Sequence, residues 1–231
     1  MWLRNLLRHL ATVTKVAVHR LRHGDEPIYS SDWTTPHCEN WLAALREREN
    51  DPLQILEIGS FEGRSACFFL DTFPLSRITC VDIFLPKRSA KFDHNLKPHR
   101  HRVTKLVGRS AAILDELVAN DLRYDVIYID GHHGRSPVFV DSALAWPLLK
   151  LGGILIWDDY LWRVDKPSHA RPQHAIDVFC QTFASCLREL HRGEQVIVEK
   201  TADWPMPKNG LVAIDRETEI QPSLVTAAIT A

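Results

Sequence analysis

The feature that most constrains this chain is a regular alternation of short apolar runs with helix-like segments. Such alternation is typical of βαβ units, which build a parallel sheet covered by helices on both faces. The sequence therefore predicts an α/β fold, a three-layer α/β/α sandwich. We predict strands at residues 53–58, 77–83, 103–107, 125–129 and 153–157, and helices at residues 64–73, 111–119 and 138–149.

Further elements are predicted on both sides of this alternation. Thr35 as N-cap and Pro36 at the first helical position indicate a helix before the first strand. After Pro172, another predicted helix leads to two apolar runs at residues 195–199 and 210–214. We interpret these runs as closing strands and expect them to be antiparallel.

The domain organisation follows from these elements, because the sequence has no internal repeat and no long linker. We expect one domain at residues 31–214 and a weakly structured tail at residues 215–231. The polar, basic run at residues 87–102 interrupts the alternation. It is predicted to be an irregular insertion that could form a lid.

The first 30 residues form a basic extension. Between residues 1 and 23, lysines and arginines have no acidic counterparts, and apolar residues recur at helical spacing. The pattern predicts an amphipathic helix that is too interrupted to span a bilayer and poorly suited to be a signal peptide. Packing on the domain or on a partner, contact with a membrane surface, and targeting are the open interpretations.

Charge and cysteine content restrict the partners and the compartment. Lys and Arg number 28 and Asp and Glu number 29, so no global electric field would recruit nucleic acid. The five cysteines are an odd number without CxxC spacing, which argues against a disulfide framework and a zinc site. We expect a cytoplasmic protein without a nucleic-acid partner, peripheral at the membrane if the N-terminal helix binds there.

The loop after the first predicted strand has the features of a nucleoside-binding site. In an open parallel sheet, ligands bind beyond the carboxyl ends of the strands, where glycines allow tight turns and close approach. Gly59 and Gly63 take such positions, but Phe61 stands where a dinucleotide GxGxxG motif needs glycine. The second predicted strand ends at Asp82, whose carboxylate can accept hydrogen bonds from both hydroxyls of a ribose.

These residues resemble the cofactor motifs of class I S-adenosylmethionine-dependent methyltransferases. The pattern ExGxxxGxS at residues 57–65, followed by Asp82, is similar to their first motifs. Over about residues 53–160, the chain especially resembles a small bacterial group that carries the sequence IDGHH, here at residues 129–133. The resemblance implies S-adenosylmethionine as the cofactor and a Rossmann-like, seven-stranded, mostly parallel sheet with an antiparallel last strand.

The resemblance also implies roles for individual residues. Gly59, Ser60 and Gly63 would surround the methionine part of the cofactor, and Glu57 would support the loop. Asp82 would hold the ribose, and residues 108–110 would lie near the adenine. The complete set of candidate cofactor-binding residues is Glu57, Gly59, Ser60, Gly63, Ser65, Asp82, Gly108, Ser110, Asp130 and His132.

Three carboxylates are predicted to converge on one rim of the sheet. Asp130 ends one predicted strand, and Asp158 and Asp159 end the next, which is unfavourable without a counter-ion. Mg²⁺ prefers oxygen ligands and would offset the repulsion between them. The arrangement resembles metal-dependent O-methyltransferases of the catechol and macrolide-sugar types, which implies that all three acids hold the metal.

In those enzymes the residue three positions after the first acid is the general base, and here that residue is His133. An imidazole titrates near neutral pH, which suits removal of a proton from an acceptor hydroxyl. His133 and Asp130 are therefore the catalytic candidates. Because neighbouring side chains on extended backbone diverge, His132 is expected to contact the cofactor or to be structural.

The leading hypothesis is O-methylation of a small hydroxylated acceptor, either a sugar or a phenol. Trp33, Trp157, Tyr160 and Trp162 could line the acceptor pocket or fill the core. A metal-independent methyltransferase acting on nitrogen, with Asp130 orienting His133, is a second hypothesis. A noncatalytic nucleoside-binding or membrane-associated module is a third, and the sequence leaves a homo-oligomer possible.

Overall fold

The computed structural model of this protein describes residues 27–203. The predicted basic helix at residues 1–23, the predicted strand at residues 210–214 and the predicted tail at residues 215–231 lie outside the described residues.

A seven-stranded sheet forms the centre of the described part of the chain. The order of its strands is β3-β2-β1-β4-β5-β7-β6, and every neighbouring pair from β3 to β5 is parallel. Strand β7 runs antiparallel to both of its neighbours. The predicted fold class and the antiparallel last strand are confirmed. The strands are β1 (Gln54–Ile58), β2 (Arg77–Asp82), β3 (Val103–Val107), β4 (Tyr124–Ile129), β5 (Leu149–Trp157), β6 (Leu187–Arg192) and β7 (Val196–Lys200).

Helices cover both faces of this sheet, as the alternation predicts. Short 3-10 turns at Thr35–His37, Arg46–Arg48, Lys97–Arg102 and Ser168–Ala170 join the longer elements. Across residues 27–203 the α-helices are α1 (Cys38–Ala44), α2 (Arg64–Thr72), α3 (Pro86–Asn95), α4 (Ser110–Ala119), α5 (Arg135–Leu148) and α6 (Gln173–Thr182).

The core consists of two apolar layers, one on each face of the sheet. Because successive strand residues point to opposite faces, Val126 and Tyr128 of β4 belong to one layer, and Ile127 and Ile129 to the other. Helices α1, α2 and α3 pack on the first layer, and helices α4, α5 and α6 pack on the second. In the first layer the ring of Trp41 stacks on Phe69 at a centroid distance of 4.9 Å.

The prediction of an irregular insertion at residues 87–102 is wrong. The structure places helix α3 and the 3-10 turn Lys97–Arg102 there. Phe92 and Leu96 anchor this segment in the core, and the Arg102 guanidinium donates hydrogen bonds to main-chain carbonyls at the end of α2. Two apolar anchors among many charges are too few to give a helical period in the sequence.

Two other boundaries differ from the sequence-based expectation. The Thr35 side chain caps no α-helix; instead Asp32 Oδ1 accepts the Thr35 N–H at 2.9 Å, and a 3-10 turn precedes α1. Strand β6 was not predicted, because its two leucines, Leu187 and Leu190, are three residues apart and do not give the two-residue alternation of a strand. It remains largely exposed at the sheet edge. In the described part of the chain, each helix is too short or too polar to cross a membrane.

Candidate active site

A cleft of about 1320 Å³ opens at the carboxyl ends of the central strands. It lies where the strand order reverses between β1 and β4, which is the expected ligand position in such a sheet. Its volume exceeds the roughly 300–1,000 Å³ typical of a single small-molecule site, so two substrates can lie side by side. The predicted site residues that line this cleft are Gly59, Asp82, Gly108, Ser110, Asp130, His132, His133, Asp158 and Asp159.

The two glycines of the loop after β1 are required by packing within the protein. Both have positive φ angles, 93° at Gly59 and 78° at Gly63. A Cβ atom at Gly59 would lie 2.0 Å from the carbonyl oxygen of Asp130, and one at Gly63 would lie 2.3 Å from the Leu96 side chain. The glycines therefore let the loop lie against β4 and α3, and this contact shapes the cleft next to Asp130.

Asp82 joins this loop to the end of β2. Its Oδ2 accepts the N–H of Phe61 at 2.9 Å, and its Oδ1 accepts the N–H of Phe84 at 2.8 Å. Each carboxylate oxygen has two lone pairs, so each can still accept a hydrogen bond from a ligand hydroxyl. The carboxylate of Asp82 is thus fixed in position and faces the cleft with free acceptor capacity, as binding of a ribose requires.

Four of the predicted cofactor residues lie behind the loop and not on the main cleft. Glu57 is fully buried and accepts a hydrogen bond from the Ser65 hydroxyl. Burial raises the pKa of Glu57. Glu57 thus ties the loop to the start of α2, which agrees with the supporting role that the resemblance implies. Ser60 and Ser65 line a small recess behind the loop, and Gly63 packs on α3.

The far end of the cleft, beyond β2 and β3, is formed mainly by main chain and small side chains. Gly108 donates its N–H to the Asp82 carbonyl at 2.9 Å, and Ser110 begins α4 beside it. His132 Nδ1 accepts the N–H of Gly134 at 2.9 Å, which holds the imidazole against its own loop.

Three carboxylates come together at the ends of β4 and β5, as predicted. The Tyr128 hydroxyl lies between them, donating to Asp158 and lying 3.1 Å from Asp130 Oδ2. Burial, followed by the negative charges of Asp158 and Asp159, raises the pKa of Asp130 well above its usual range. A cation placed here would relieve this repulsion.

His133 is paired with one of these acids. Its Nδ1 lies 2.6 Å from Asp159 Oδ2, and this hydrogen bond raises the pKa of the imidazole. The ring of Trp162 lies 4.9 Å away. A histidine whose Nδ1–H is held by a carboxylate has a fixed orientation and a free Nε2, which is the arrangement of a general base.

The donor set fits a divalent cation, with one difference from the predicted ligands. Among the described residues, Asp130, His133 and Asp159 have potential ligand atoms within 4.8 Å of one another. The predicted trio contained Asp158 in place of His133. Both Asp158 oxygens already accept hydrogen bonds, from Tyr128 and from the main-chain N–H of Asp159.

Several residues of the cleft were not predicted. His37, whose Nε2 lies 3.9 Å from Asp158 Oδ1, comes from the turn before α1, and Glu194 comes from the β6–β7 hairpin. The Arg88 guanidinium lies 4.6 Å from the ring centroid of Phe61. These residues reach the cleft from distant parts of the chain, and only the fold could identify them.

The aromatic candidates for the acceptor wall divide into two groups. Trp33, which is 68% exposed, and Trp162 line the cleft. Trp157 and Tyr160 are buried in the core instead, where Trp157 donates to the Ser142 hydroxyl and Tyr160 to Asp177.

Comparisons with known proteins match part of this chain to a described domain family. A family model described as a methyltransferase domain matches residues 56–160. An uncharacterised protein of Acanthamoeba polyphaga mimivirus is 28% identical over 120 residues, which cover 48% of this chain and 53% of that protein. The chain thus spans about half the length of this relative.

Solved methyltransferase structures share the fold. The MycE methyltransferase of the mycinamycin biosynthetic pathway, in complex with Mg and SAH, superposes with a TM-score of 0.61 at 18% identity, covering 84% of this chain and 57% of MycE. An O-methyltransferase from Bacillus cereus in complex with SAH gives a TM-score of 0.58 at 17% identity, covering 82% of this chain and 90% of that enzyme. Residues 56–160 thus match a methyltransferase domain, and the described residues share the fold of solved methyltransferases.

Proposed function

We propose that this enzyme transfers the methyl group of S-adenosylmethionine to a hydroxyl group of a small acceptor, a sugar or a phenol. The observation that carries the proposal is the 2.6 Å pair between His133 and Asp159 in the cleft, beside Asp130. Oxygen methylation needs a base for the hydroxyl proton, and this pair supplies one. The O-methyltransferase from Bacillus cereus shares this fold, which supports the same reaction.

In this proposal the cofactor lies across the ends of β2, β1 and β4. Asp82 would accept hydrogen bonds from the ribose hydroxyls, and the main chain at Gly108 and Ser110 would border the adenine. S-adenosylmethionine supplies a methyl group on a positively charged sulfur. The loop at residues 59–63 would hold the methionine part, which brings that sulfur towards Asp130 and the acceptor side of the cleft.

His133 would remove the acceptor proton through Nε2, because its Nδ1–H is directed to Asp159. Asp159 positions the imidazole and stabilises the positive charge that it gains. Positioned general bases of this kind typically contribute about 10²- to 10⁴-fold to a rate. The second hypothesis, methylation of nitrogen, would need this base less, because a neutral amine already has a nucleophilic lone pair and can release a proton to solvent after the methyl group is transferred.

We further propose that a divalent cation such as Mg²⁺ binds at the carboxylates. Asp130 and Asp159 would hold it, and Asp158, which accepts the hydrogen bond of Tyr128 beside them, would add the third negative charge. Bound there, the cation would act as a Lewis acid and lower the pKa of an acceptor hydroxyl. Because His133 also has a potential ligand atom in this group, its role as base or as ligand has to be separated by experiment.

The test is methyl transfer from radiolabelled S-adenosylmethionine to a panel that contains catechol and methyl glycosides. We expect product with Mg²⁺, at least about tenfold less with EDTA, and recovery when Mg²⁺ is restored. Tight metal binding by His133→Ala, measured by calorimetry, would identify His133 as base and not ligand. Unchanged turnover in both EDTA and His133→Ala would contradict the oxygen-methylation proposal.

Four further expectations remain proposals. A domain at residues 31–214, membrane-surface contact by residues 1–23, a cytoplasmic location and self-association each need a separate measurement. The third hypothesis, a noncatalytic module, is less favoured, because the pair of His133 and Asp159 in the cleft supports a catalytic role.

A further inference from the structure

An exposed surface of apolar and basic side chains lies along one rim of the cleft. Most of it belongs to the segment that joins β2 to helix α3, and one tryptophan adds to it from the N-terminal side. We call it the rim surface, and its residues are Trp33, Ile83, Leu85, Lys87 and Arg88. All five are exposed, and Leu85 and Lys87 lie outside the lining of the cleft, so a ligand confined to the cleft would leave them uncovered.

The ring of Phe61 joins the two parts of the rim surface. The centroid of the Trp33 ring lies 5.6 Å from that of Phe61, and the Arg88 guanidinium lies 4.6 Å from the Phe61 centroid. Trp33 and Arg88 therefore flank one ring, although they come from distant parts of the chain. Tryptophan together with lysine and arginine is typical of surfaces that lie at the headgroup level of a membrane.

The charge of the rim surface is positive and unpaired. Residues 83–92 include basic residues and no acidic one. Lys87 and Arg88 form no ion pair with any residue of the described range 27–203, and Asp32, next to Trp33, is paired with Arg64 at 2.6 Å. Free cations beside exposed apolar side chains favour a partner that offers negative charge and an apolar layer together, as an anionic lipid surface does.

An exposed leucine at the opposite end of the sheet has different surroundings. Leu151 is 62% exposed near the amino end of β5. Its neighbour Lys150 is paired with Asp125 at 2.9 Å, so its charge is already neutralised. Single exposed apolar residues are ordinary on protein surfaces. The combination of apolar side chains with free cations distinguishes the rim surface from this site.

The sequence before the described residues adds charge of the same sign near this surface. Residues 1–23 contain five lysines and arginines and no acidic residue. The described chain begins beside α3, where the Ile28 N–H donates to Asn95 Oδ1 at 2.8 Å. Helix α3 has 10 residues, which corresponds to a length of about 15 Å. The N-terminal extension therefore joins the domain within reach of the rim surface.

We propose that the rim surface docks on an anionic lipid membrane. The side chains of Leu85 and Trp33 would enter the boundary between headgroups and acyl chains, and Lys87 and Arg88 would contact the lipid phosphates. The mouth of the cleft would then open at the membrane, because Trp33, Ile83 and Arg88 also line it. The proposal assigns part of the folded domain to the membrane, and it does not depend on which cofactor the cleft binds.

The test is sedimentation of the full chain with vesicles of phosphatidylcholine, alone or mixed with an equal part of phosphatidylglycerol. We expect binding to the mixed vesicles only, and weaker binding as the salt concentration rises. Lys87→Glu should weaken binding at least about fivefold, the factor that one basic side chain near an anionic surface contributes. Leu85→Asp should weaken it at least about tenfold, because it replaces an apolar contact by a charge that the lipids repel.

Matched substitutions elsewhere separate the rim surface from a general change of charge or hydropathy. Leu151→Asp and Arg123→Glu change exposed residues near the amino ends of β5 and β4. Both should leave vesicle binding unchanged. Circular dichroism of all four variants checks that each is folded, which is expected because all four side chains are exposed.

The proposal is overturned if the wild type binds neither kind of vesicle, or binds both equally. It is also overturned if Leu85→Asp and Lys87→Glu bind as tightly as the wild type, since residues 1–23 would then act without the domain, or if the control variants lose binding to the same extent. Binding to polyaspartate but not to vesicles would assign the surface to an acidic protein instead.

Discussion

A carboxylate lies at each end of strand β4, and the surroundings of the two are opposite in charge. At the amino end, Asp125 accepts hydrogen bonds from the Gln54 N–H and Lys150 and pairs with Arg48 at 3.0 Å. Burial alone would raise the pKa of Asp125, but these partners lower it overall. At the carboxyl end, Asp130 has acids as neighbours, and its pKa is raised.

The charges at the amino end of β4 stabilise the fold, whereas those at the carboxyl end favour ligand binding at the expense of stability. Lys150 and Arg48 neutralise Asp125, so that end of the sheet gains stability from its charges. Around Asp130 the described residues offer more negative than positive groups, which is unfavourable for the free protein and favourable for a cation and a cationic sulfonium. Such unsatisfied charge is common at functional sites.

The largest expected effect is that of substituting His133, the proposed base, near the carboxyl end of β4. His133→Ala should lower kcat by about 10²- to 10⁴-fold, because it removes the group proposed to take the acceptor proton. SAH binding, measured by calorimetry, should stay within about twofold, since the imidazole acts on the acceptor and not on the cofactor. His174→Ala, an exposed histidine of α6, is the matched control and should leave kcat unchanged. Equal rates in both variants would place the base elsewhere.

The second prediction concerns Gly59, which packs against the Asp130 carbonyl at the carboxyl end of β4. Gly59→Ala should lower the free energy of unfolding by about 3 kcal/mol or more, because its Cβ would overlap the Asp130 carbonyl. Gly152→Ala provides the control. Gly152 also has a positive φ, of 73°, but a Cβ there meets nothing within 4 Å, so only backbone strain of about 1–2 kcal/mol is expected. Chemical denaturation checks both, and equal losses would show that strain alone makes Gly59 necessary.

The third prediction tests the ribose site at the other side of the cleft. Asp82→Ala should raise the Kd of SAH by about 10- to 150-fold, the range for loss of a hydrogen bond to a charged group. The Kd of 5′-methylthioadenosine should rise by a similar factor, because that ligand keeps the ribose. A loss for SAH alone would mean that Asp82 acts through the loop, by its hydrogen bond to the Phe61 N–H.

The features that could be predicted from the sequence are those set by local backbone geometry and by the ends of neighbouring strands. The tight loop after β1 was predictable, because the glycines at residues 59 and 63 and the acid at residue 82 follow from local backbone geometry and strand ends. The meeting of Asp130 with Asp158 and Asp159 was predictable too, because parallel neighbouring strands end at one edge. The pairing of Asp159 with His133 follows from side-chain direction, which no residue pattern specifies.

The residues on the proposed acceptor side of the cleft could not be predicted from the sequence, for a physical reason. His37 and Glu194 occupy loops whose position depends on packing of α1 and of the β6–β7 hairpin. A buried hydrogen bond of 2.8 Å from Trp41 Nε1 to Gln195 Oε1 joins these two segments. Their sequence separation of 154 residues leaves no local signal. If the proposed acceptor binds beside His37 and Glu194, substrate specificity would depend on the least predictable contacts of the fold.

The smallest expected effect is that of substituting Asp125, at the amino end of β4. Asp125→Asn should lower the free energy of unfolding at pH 7 by about 1 kcal/mol, since it removes the charge that Arg48 and Lys150 pair with. Because the pKa of Asp125 is lowered in the folded state, its contribution is complete above the unfolded pKa of about 4 and declines as the pH falls through the folded value. Urea denaturation of both proteins at pH 7 and pH 3 should show the difference shrinking in acid. A difference that is the same at both pH values would mean that Asp125 stabilises the sheet through hydrogen bonds that asparagine cannot replace, and not through its charge.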